Sequence, residues 1–556
     1  MTGVTTALPA REAPSPRRRS LPSWSLLSLP VAALIMAPLL AVIVSALVPA
    51  GEVWRHILTT TLPEMLRNSV ALAVLVGAIT ASAGALTAWL VTACRFPGRG
   101  LLEVALLLPM AMPAYVCGYA YTWLLDVAGP VQTALRDATG LSWGQYWFPE
   151  IRSLPGAALM LGMVLYPYVY LLCRAAFQQQ SVCLIEASRT LGHSLPRCFL
   201  HLALPMARPA IVGGVALALM ETLADFGTVQ HFAVRTFTTG IYEAWFGMGD
   251  RGAASQLATC LMGLVAALLV LEHLSRGGRR FHPTTNRQPP LSPVKLSGVK
   301  AALAIVACAM PVALGFLVPA GTLLSLMLQV GDPLAPSRFL PYARNSLVLA
   351  ATAATVAVLL AALLAWAARL HPAPWQRAAL RVAGLGYAVP GSVIAVGTLV
   401  PLGAFDNALD AWVRAEFGFS TGLLLSGGMA ALVFAYLVRF LAVALSAVES
   451  GLARVRPSLR DAARVLGHRP AGAVLKVELP LVRNSMVTAF LLVFVDTMKE
   501  LPATLIVRPF DFDTLAVRVH SLAADERLAE ASTAALLIVA AGLLPVLALT
   551  RAMRQR

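Results

Sequence analysis

Charge is scarce in this chain of 556 residues: only 13% of the side chains are Asp, Glu, Lys or Arg, while 58% are apolar. Water-soluble domains carry about a quarter charged residues, so a wholly solvated surface is excluded and a membrane is the expected surrounding. Cysteine pairing is also missing. The seven cysteines (94, 117, 173, 183, 198, 260 and 308) are odd in number and form no Cys-x-x-Cys pair, which argues against a disulfide framework or a zinc site. No Gly-x-x-x-x-Gly-Lys-[Ser/Thr] phosphate loop occurs anywhere, so ATP hydrolysis by that chemistry is excluded for this chain. The charge that is present is lopsided, +16 net, but Lys and Arg sit between apolar runs rather than along amphipathic faces. Cytoplasmic loops of membrane proteins collect such residues, and without a basic-domain signature no nucleic-acid partner is expected.

Residues 1–23, rich in Pro, Ser and Arg, read as a disordered basic cytoplasmic tail. The following run, about Leu26 to Val48, has the roughly 20 residues that span a bilayer and is longer than a signal-peptide core. It is expected to remain as a first helix. Further runs of spanning length fall near 69–93, 101–125, 154–175, 209–228 and 254–274. After a polar, Pro-rich linker (275–300) come runs near 301–320, 346–368, 380–402, 422–446, 484–506 and 530–550. The expected fold is an all-α integral membrane protein of about twelve transmembrane helices, in two six-helix halves covering 24–274 and 301–556. With both termini inside, Arg95, Arg99, Arg174 to Arg208, Arg369, Arg377 and Arg454 to Arg483 all fall in cytoplasmic loops. Asp126, Asp137, Glu150, Asp406 and Asp513 fall on the opposite side. That asymmetry is the positive-inside bias.

The two halves repeat one another. Arg67-Asn68-Ser69 returns as Arg344-Asn345-Ser346, Trp89 as Trp366 and Pro113 as Pro390, each 277 positions later. Six helices is an even number, so both halves enter the bilayer in the same orientation. They should be related by an axis along the membrane normal, with a pathway between them.

The clearest repeated stretch is polar. Glu186-Ala187-Ser188-Arg189-Thr190-Leu191-Gly192-His193, closing at Leu204-Pro205, returns 275 positions later as Asp461-Ala462-Ala463-Arg464-Val465-Leu466-Gly467-His468, closing at Leu479-Pro480. Each copy reads as a short helix, a glycine turn, a second short helix and a proline suited to restarting a membrane helix. The lone histidine beside each turn reads as a surface contact rather than a metal ligand. Glu-Ala-x-x-x-x-Gly with a later Leu-Pro resembles the signature loop of binding-protein-dependent ABC importer permeases. The resemblance implies that Glu186, Ala187, Gly192, Leu204 and Pro205, and likewise Asp461, Ala462, Gly467, Leu479 and Pro480, dock onto a cytoplasmic ATPase dimer. Asp461 departs from the family's Glu, which changes the reach of the charge. It further implies an extracytoplasmic binding protein as partner and a multi-pass location in the bacterial inner membrane. No cofactor would be bound by this chain, ATP being used by the partner subunit.

Beyond each loop lie two carboxylates on one helix face: Glu221 and Asp225, then Asp496 and Glu500, again 275 apart. Ionisable residues within a bilayer are costly and usually face an interior or an aqueous cavity. Glu221, Thr222, Asp225, Tyr242, Asp496, Thr497 and Glu500 are therefore candidate pathway residues for a cation, with Lys499 able to neutralise a neighbour. The stretch 221–246 resembles the ferric-iron branch of fused importer permeases, and carboxylates with Tyr242 suit a hard ferric ion. Thiamine, phosphonate and polyamine permeases share the plan. An ion-coupled secondary transporter, needing no ATPase and drawing on the intramembrane acids for coupling, is the rival of a different class; a channel or structural membrane protein gives the twin loops no role. Gly192→Glu or Gly467→Glu should abolish uptake while leaving the protein in the membrane; normal uptake with the ATPase still bound would sink the coupling role.

Overall fold

A computed structural model describes residues 28–47, 51–179, 188, 190, 192, 194–276, 293–330, 336–370 and 373–554. The expected tail, most of the expected linker, and Glu186 and Ala187 lie outside the described residues. Among those described, ten helices are long and apolar enough to cross a membrane, or twelve if two bent pairs each count as one span. The first half contributes α1 (Ser28–Ala46), α2 (Leu62–Ala93), α3 (Ala114–Leu125), α4 (Leu154–Gln179), α5 (Arg208–Ala224) and α6 (Arg251–Arg276). The second contributes α7 (Gly298–Val312, carried on through a π turn to Val330), α8 (Pro336–Leu370), α9 (Gly391–Phe417), α10 (Met429–Ala453), α11 (Leu479–Met498) and α12 (Leu528–Arg554). The only strands among the described residues are Cys94–Arg95 and Val294–Lys295, paired in parallel.

Several expected spans move, and prolines explain most of the shifts. The apolar run 101–125 is two pieces: residues 99–111 and 114–139 meet at 92°. The run 380–402 likewise divides into a short helix, Pro374–Ala383, and α9. At both breaks a 3₁₀ turn leads into an extended proline, Pro113 (ψ 137°) or Pro390 (ψ 142°), which starts the next helix. Proline offers no amide to the preceding turn, and the residue before it avoids the helical region. Apolar residues run unbroken across each junction, so hydropathy alone merges the pieces. The run 209–228 stops at Ala224, and 484–506 divides into α11 and a separate helix, Pro502–Val507.

In each half the second, fourth and fifth spans pack together: α2, α4 and α5 in one, α8, α10 and α11 in the other. The first helix of each half crosses over. α1 packs on α9, on α6 and on the short helix Pro374–Ala383, while α7 packs on α12 and on first-half elements around α3 and α4. Ile35, Leu39 and Val42 of α1 thus share one core with Ala353, Val393 and Leu441. Cys308 and Val312 of α7 share another with Trp89 and Tyr166.

The repeated Arg-Asn-Ser motif has a structural purpose. Asn68 Nδ2 donates to the Arg235 carbonyl at 3.0 Å, and Asn345 Nδ2 donates to that of Asp513 at 3.2 Å. The Phe237 amide donates to Ser69 Oγ at 3.4 Å and the Leu515 amide to Ser346 Oγ at 2.8 Å. Both pairs pin the short helix that follows the fifth span, Phe237–Tyr242 or Leu515–Ala524, to the start of the second.

The crossing of α1 over α9 depends on Gly397, where a Cβ would run into the Pro38 carbonyl oxygen, whereas one at Gly403 would meet nothing within 4 Å. Small residues are the usual means of close helix approach in membranes. Gly397→Ala should therefore lower stability by about 1–3 kcal/mol, read by thermal unfolding of the purified protein, with Gly403→Ala as the silent control. Equal shifts in both variants would remove the close crossing as the cause.

Candidate functional site

The backbone of the second polar loop is described throughout. Pro457 opens the short helix Pro457–Val465, its missing amide costing nothing at that position. Gly467 ends it at φ +86°. The Gly467 amide donates to the Arg464 carbonyl at 3.1 Å and the His468 amide to that of Ala463 at 3.0 Å. This is the paired closure in which glycine takes the left-handed position after a helix. Ala463 faces inward at 4% exposure, while Val465 and Leu466 stand 88% and 80% exposed. Two large apolar side chains at a polar turn form a ready contact for another protein.

Beneath the helix lies an ionic anchor. Glu478 is wholly buried; Trp366 Nε1 donates to its Oε2 at 2.8 Å, and Arg369 Nε stands 3.5 Å from its Oε1. The Arg369 guanidinium also donates to the carbonyls of Leu452 and Val455, both at 2.5 Å, and Arg460 donates to the Arg369 carbonyl at 3.3 Å. The end of α8 therefore clamps the end of α10 and the short helix together.

The described residues of the first loop repeat part of this frame with a different filling. Gly192 has the same φ, +86°, as Gly467. A π turn at Phe199–Ala203 matches one at Val474–Glu478, and each leads into its Leu-Pro pair, Leu204-Pro205 or Leu479-Pro480. Where the second half has Trp366, Arg369 and Glu478, the first has Trp89, Thr92 and the buried Ala203. Trp89 rests on Phe177 and Phe199, with ring centroids 5.4 and 5.5 Å away. One loop is held by charge and the other by aromatic packing. The first also bends by 72° after Met206. Pro209 lies there where the second half has Asn484, so the chain kinks in one half and runs through in the other.

Between the halves lies a cavity of about 100 Å³ lined by Tyr115, Glu221, Asp225, Arg439, Asp496, Lys499 and Glu500, among others. Glu221 of α5 accepts from Tyr387 Oη at 2.9 Å and lies 3.8 Å from Arg439. Arg439 in turn lies 3.3 Å from Glu500, and Lys499 Nζ lies 2.8 Å from Asp496. Four of the seven expected pathway residues thus converge, but not as free acids. Asp225 accepts from the amides of Thr228 and Val229 at 3.0 and 3.1 Å, capping the short helix Gly227–His231. Glu500 accepts from the Ala503 amide at 3.0 Å at the corresponding turn.

The other three expected residues do not line this cavity. Thr222 is buried with its hydroxyl on the Ala218 carbonyl at 2.8 Å, because a helical threonine readily bonds back one turn. Thr497, 4% exposed, is buried off the cavity. Tyr242 stacks on Phe226 at 3.8 Å and donates to the Pro502 carbonyl at 2.9 Å, tying the halves together rather than lining the cavity. Arg439 escaped the sequence reading, although a lone arginine inside the apolar run of α10 was a usable signal. Tyr115 gave none.

A second cavity of about 190 Å³ is lined by Tyr119, Asp126, Arg152, His231 and Glu526, among others. There Arg152 links Asp126 at 2.9 Å to Glu526 of the second half at 3.6 Å. Tyr119 Oη and His520 Nδ1, 2.6 Å apart, join the halves again.

A broken-helix membrane protein with twin loops and an interface cavity defines a class. The chain belongs to the binding-protein-dependent transport system inner membrane component family, whose model matches residues 73–276 and 357–556, one match in each half. Among individual proteins, it is 27% identical over 498 residues to the Fe(3+)-transport system permease protein FbpB 2 of Haemophilus influenzae, covering 88% of this chain and 90% of that protein. The molybdenum transport system permease protein ModB of Escherichia coli is 30% identical over 205 residues, 35% of this chain and 86% of that protein. The sulfate transport system permease protein CysT of Salmonella typhimurium is 31% identical over 206 residues, 35% of this chain and 71% of that protein.

Glu478→Ala would strand Arg369 and the Trp366 N–H. Removing one partner of a buried pair costs about 3–5 kcal/mol, so the segment 454–478 should become sensitive to limited proteolysis. Glu478→Gln, which keeps an acceptor for Trp366, should fall between this variant and the wild type.

Proposed function

We propose that this chain is the membrane permease of an ATP-driven importer whose cargo is ferric iron. The observation that carries the cargo is the extent of likeness: the Fe(3+) permease matches across both halves, whereas the molybdenum and sulfate permeases each match about a third of the chain. Paired carboxylates Glu221 and Asp496 in the central cavity suit a hard cation. At about 100 Å³ the cavity in this conformation has room for a few waters or a small ion.

In this reading the loops around Gly192 and Gly467 face the cytoplasm, with both termini, and each seats on one subunit of an ATPase dimer. Val465 and Leu466 are the apolar contacts of the second. A binding protein delivers the ion from the opposite side of the bacterial inner membrane, to the cavity beside Asp126 and Glu526. ATPase closure acts through the loops, which must contact the two ATPase states differently to move the halves. Glu186, Ala187, Asp461 and Ala462 belong to the same docking elements by family resemblance.

A molybdate or sulfate cargo is the second reading, favoured by Arg439 and Lys499 in the cavity and by the oxyanion permeases among the relatives. Uptake of radiolabelled iron by the assembled complex decides between them. Under the ferric reading, Glu221→Gln with Asp496→Asn should cut iron uptake at least ten-fold. Unchanged iron uptake in the double variant would leave these acids as structural groups, and uptake of molybdate or sulfate but not iron by the wild type would overturn the cargo.

A further inference from the structure

The cavity breaks the repeat in one respect. Its acids come in matched pairs, Glu221 with Asp496 and Asp225 with Glu500. Its cations do not: at the 275-residue offset Lys499 corresponds to Ala224 and Arg439 to Val164, and both of these also line the cavity. The second half alone therefore supplies two positive charges to a chamber built from two negative sets.

The two cations are held differently. Arg439 is 6% exposed, its ring neighbour is Phe440, and a Cβ at Gly391 would collide with both Arg439 Nη1 and Glu500 Oε1. It is wedged, and serves as a fixed bridge between Glu221 and Glu500. Among the described residues Lys499 makes its ion pair with Asp496 alone, Glu221 acting on it from further off, and its side chain is 29% exposed. It is also the C-terminal cap of α11. The carbonyl end of a helix favours a cation, and a four-carbon stem lets the ammonium swing. Lys499 thus has a second favourable place within reach when it leaves Asp496.

A polar group in the same chamber is meanwhile unpartnered. Tyr115 is 5% exposed, lines the cavity, and its hydroxyl has no hydrogen-bond partner. Buried hydroxyls are normally paired; this one and Arg439 Nε are left without partners, among the described residues, in the wall around the acids.

We propose that Lys499 is a tethered counter-cation: it occupies Asp496 while the cavity holds no cargo, and an arriving metal cation displaces it. A multivalent cation facing free carboxylates would bind tightly and leave slowly. With Lys499 competing for Asp496, loading and release stay nearly balanced, as conduction requires. Asp496 faces the ion in its transit, while Arg439 stays in place. The proposal rests on the reading that the cargo is a cation.

The test uses the full-length permease in lipid nanodiscs, exposed to gallium(III) citrate as a redox-inert trivalent probe, with retained metal counted after gel filtration. Lys499→Met should retain at least ten-fold more gallium than the wild type, Lys499→Arg should match the wild type, and Lys499→Met with Asp496→Asn should lose the gain. A structural defect lowers retention rather than raising it, so retention in Lys499→Met no greater than in the wild type overturns the proposal. Should Lys499→Met fail to fold, Asp496→Asn in the complex with its ATPase must lower iron uptake at least ten-fold, and unchanged uptake overturns it. Iron uptake by the wild type without trapping in Lys499→Met defeats the counter-cation alone. Wild type that imports no iron defeats the cargo reading instead.

Discussion

Lipid offers no hydrogen bonds, so each backbone group freed inside a bilayer must find its partner within the protein. This chain breaks helices near its centre, after Ala224 and again after Met498, and the structure around those breaks is largely the answer to that constraint. Asp225 and Glu500 cap the short helices that follow. Asn68, Ser69, Asn345 and Ser346 supply partners for the backbone further on. Carboxylates placed to satisfy freed amides also bring negative charge to the interface between the halves. The central cavity is thus partly a by-product of terminating helices where the two halves meet, and Arg439 and Lys499 offset that charge.

The repeat was legible in the sequence because it is written in unusual residues. Polar loops in an apolar chain are conspicuous, and a constant offset needs no structure to be seen. The Gly192 and Gly467 turns, with identical φ, stand where glycine spacing put them. The acids 221, 225, 496 and 500 were visible for the same reason, and they do converge. Their partners were not legible. Whether a carboxylate caps a helix or lines an open path depends on where the chain turns two or three residues later, and hydropathy is blind to that turn. Thr222 and Tyr242 look as suited to a pathway as Glu221, yet one bonds back along its own helix and the other ties down Pro502.

The limits of span prediction have a related cause. Pro113 and Pro390 divide apolar runs without changing their hydropathy, so windows near 101–125 and 380–402 merged a short helix with a span. The crossover of α1 and α7 was likewise invisible, since nothing in an apolar helix states which neighbour it will meet. Gly397 is its clearest trace, and a single glycine in an apolar helix has many explanations.

That crossover constrains how the molecule moves. Each half wears the leading helix of the other as an outer strap, α1 across the second half and α7 across the first. Two bodies strapped in this way cannot simply draw apart, because separation would peel both straps at once and expose their apolar undersides. They can pivot, with the straps sliding along their own lengths like the arms of a clasp. The covalent connection is then not what keeps the halves together: severed from one another, the two pieces would still be held by the same two helices.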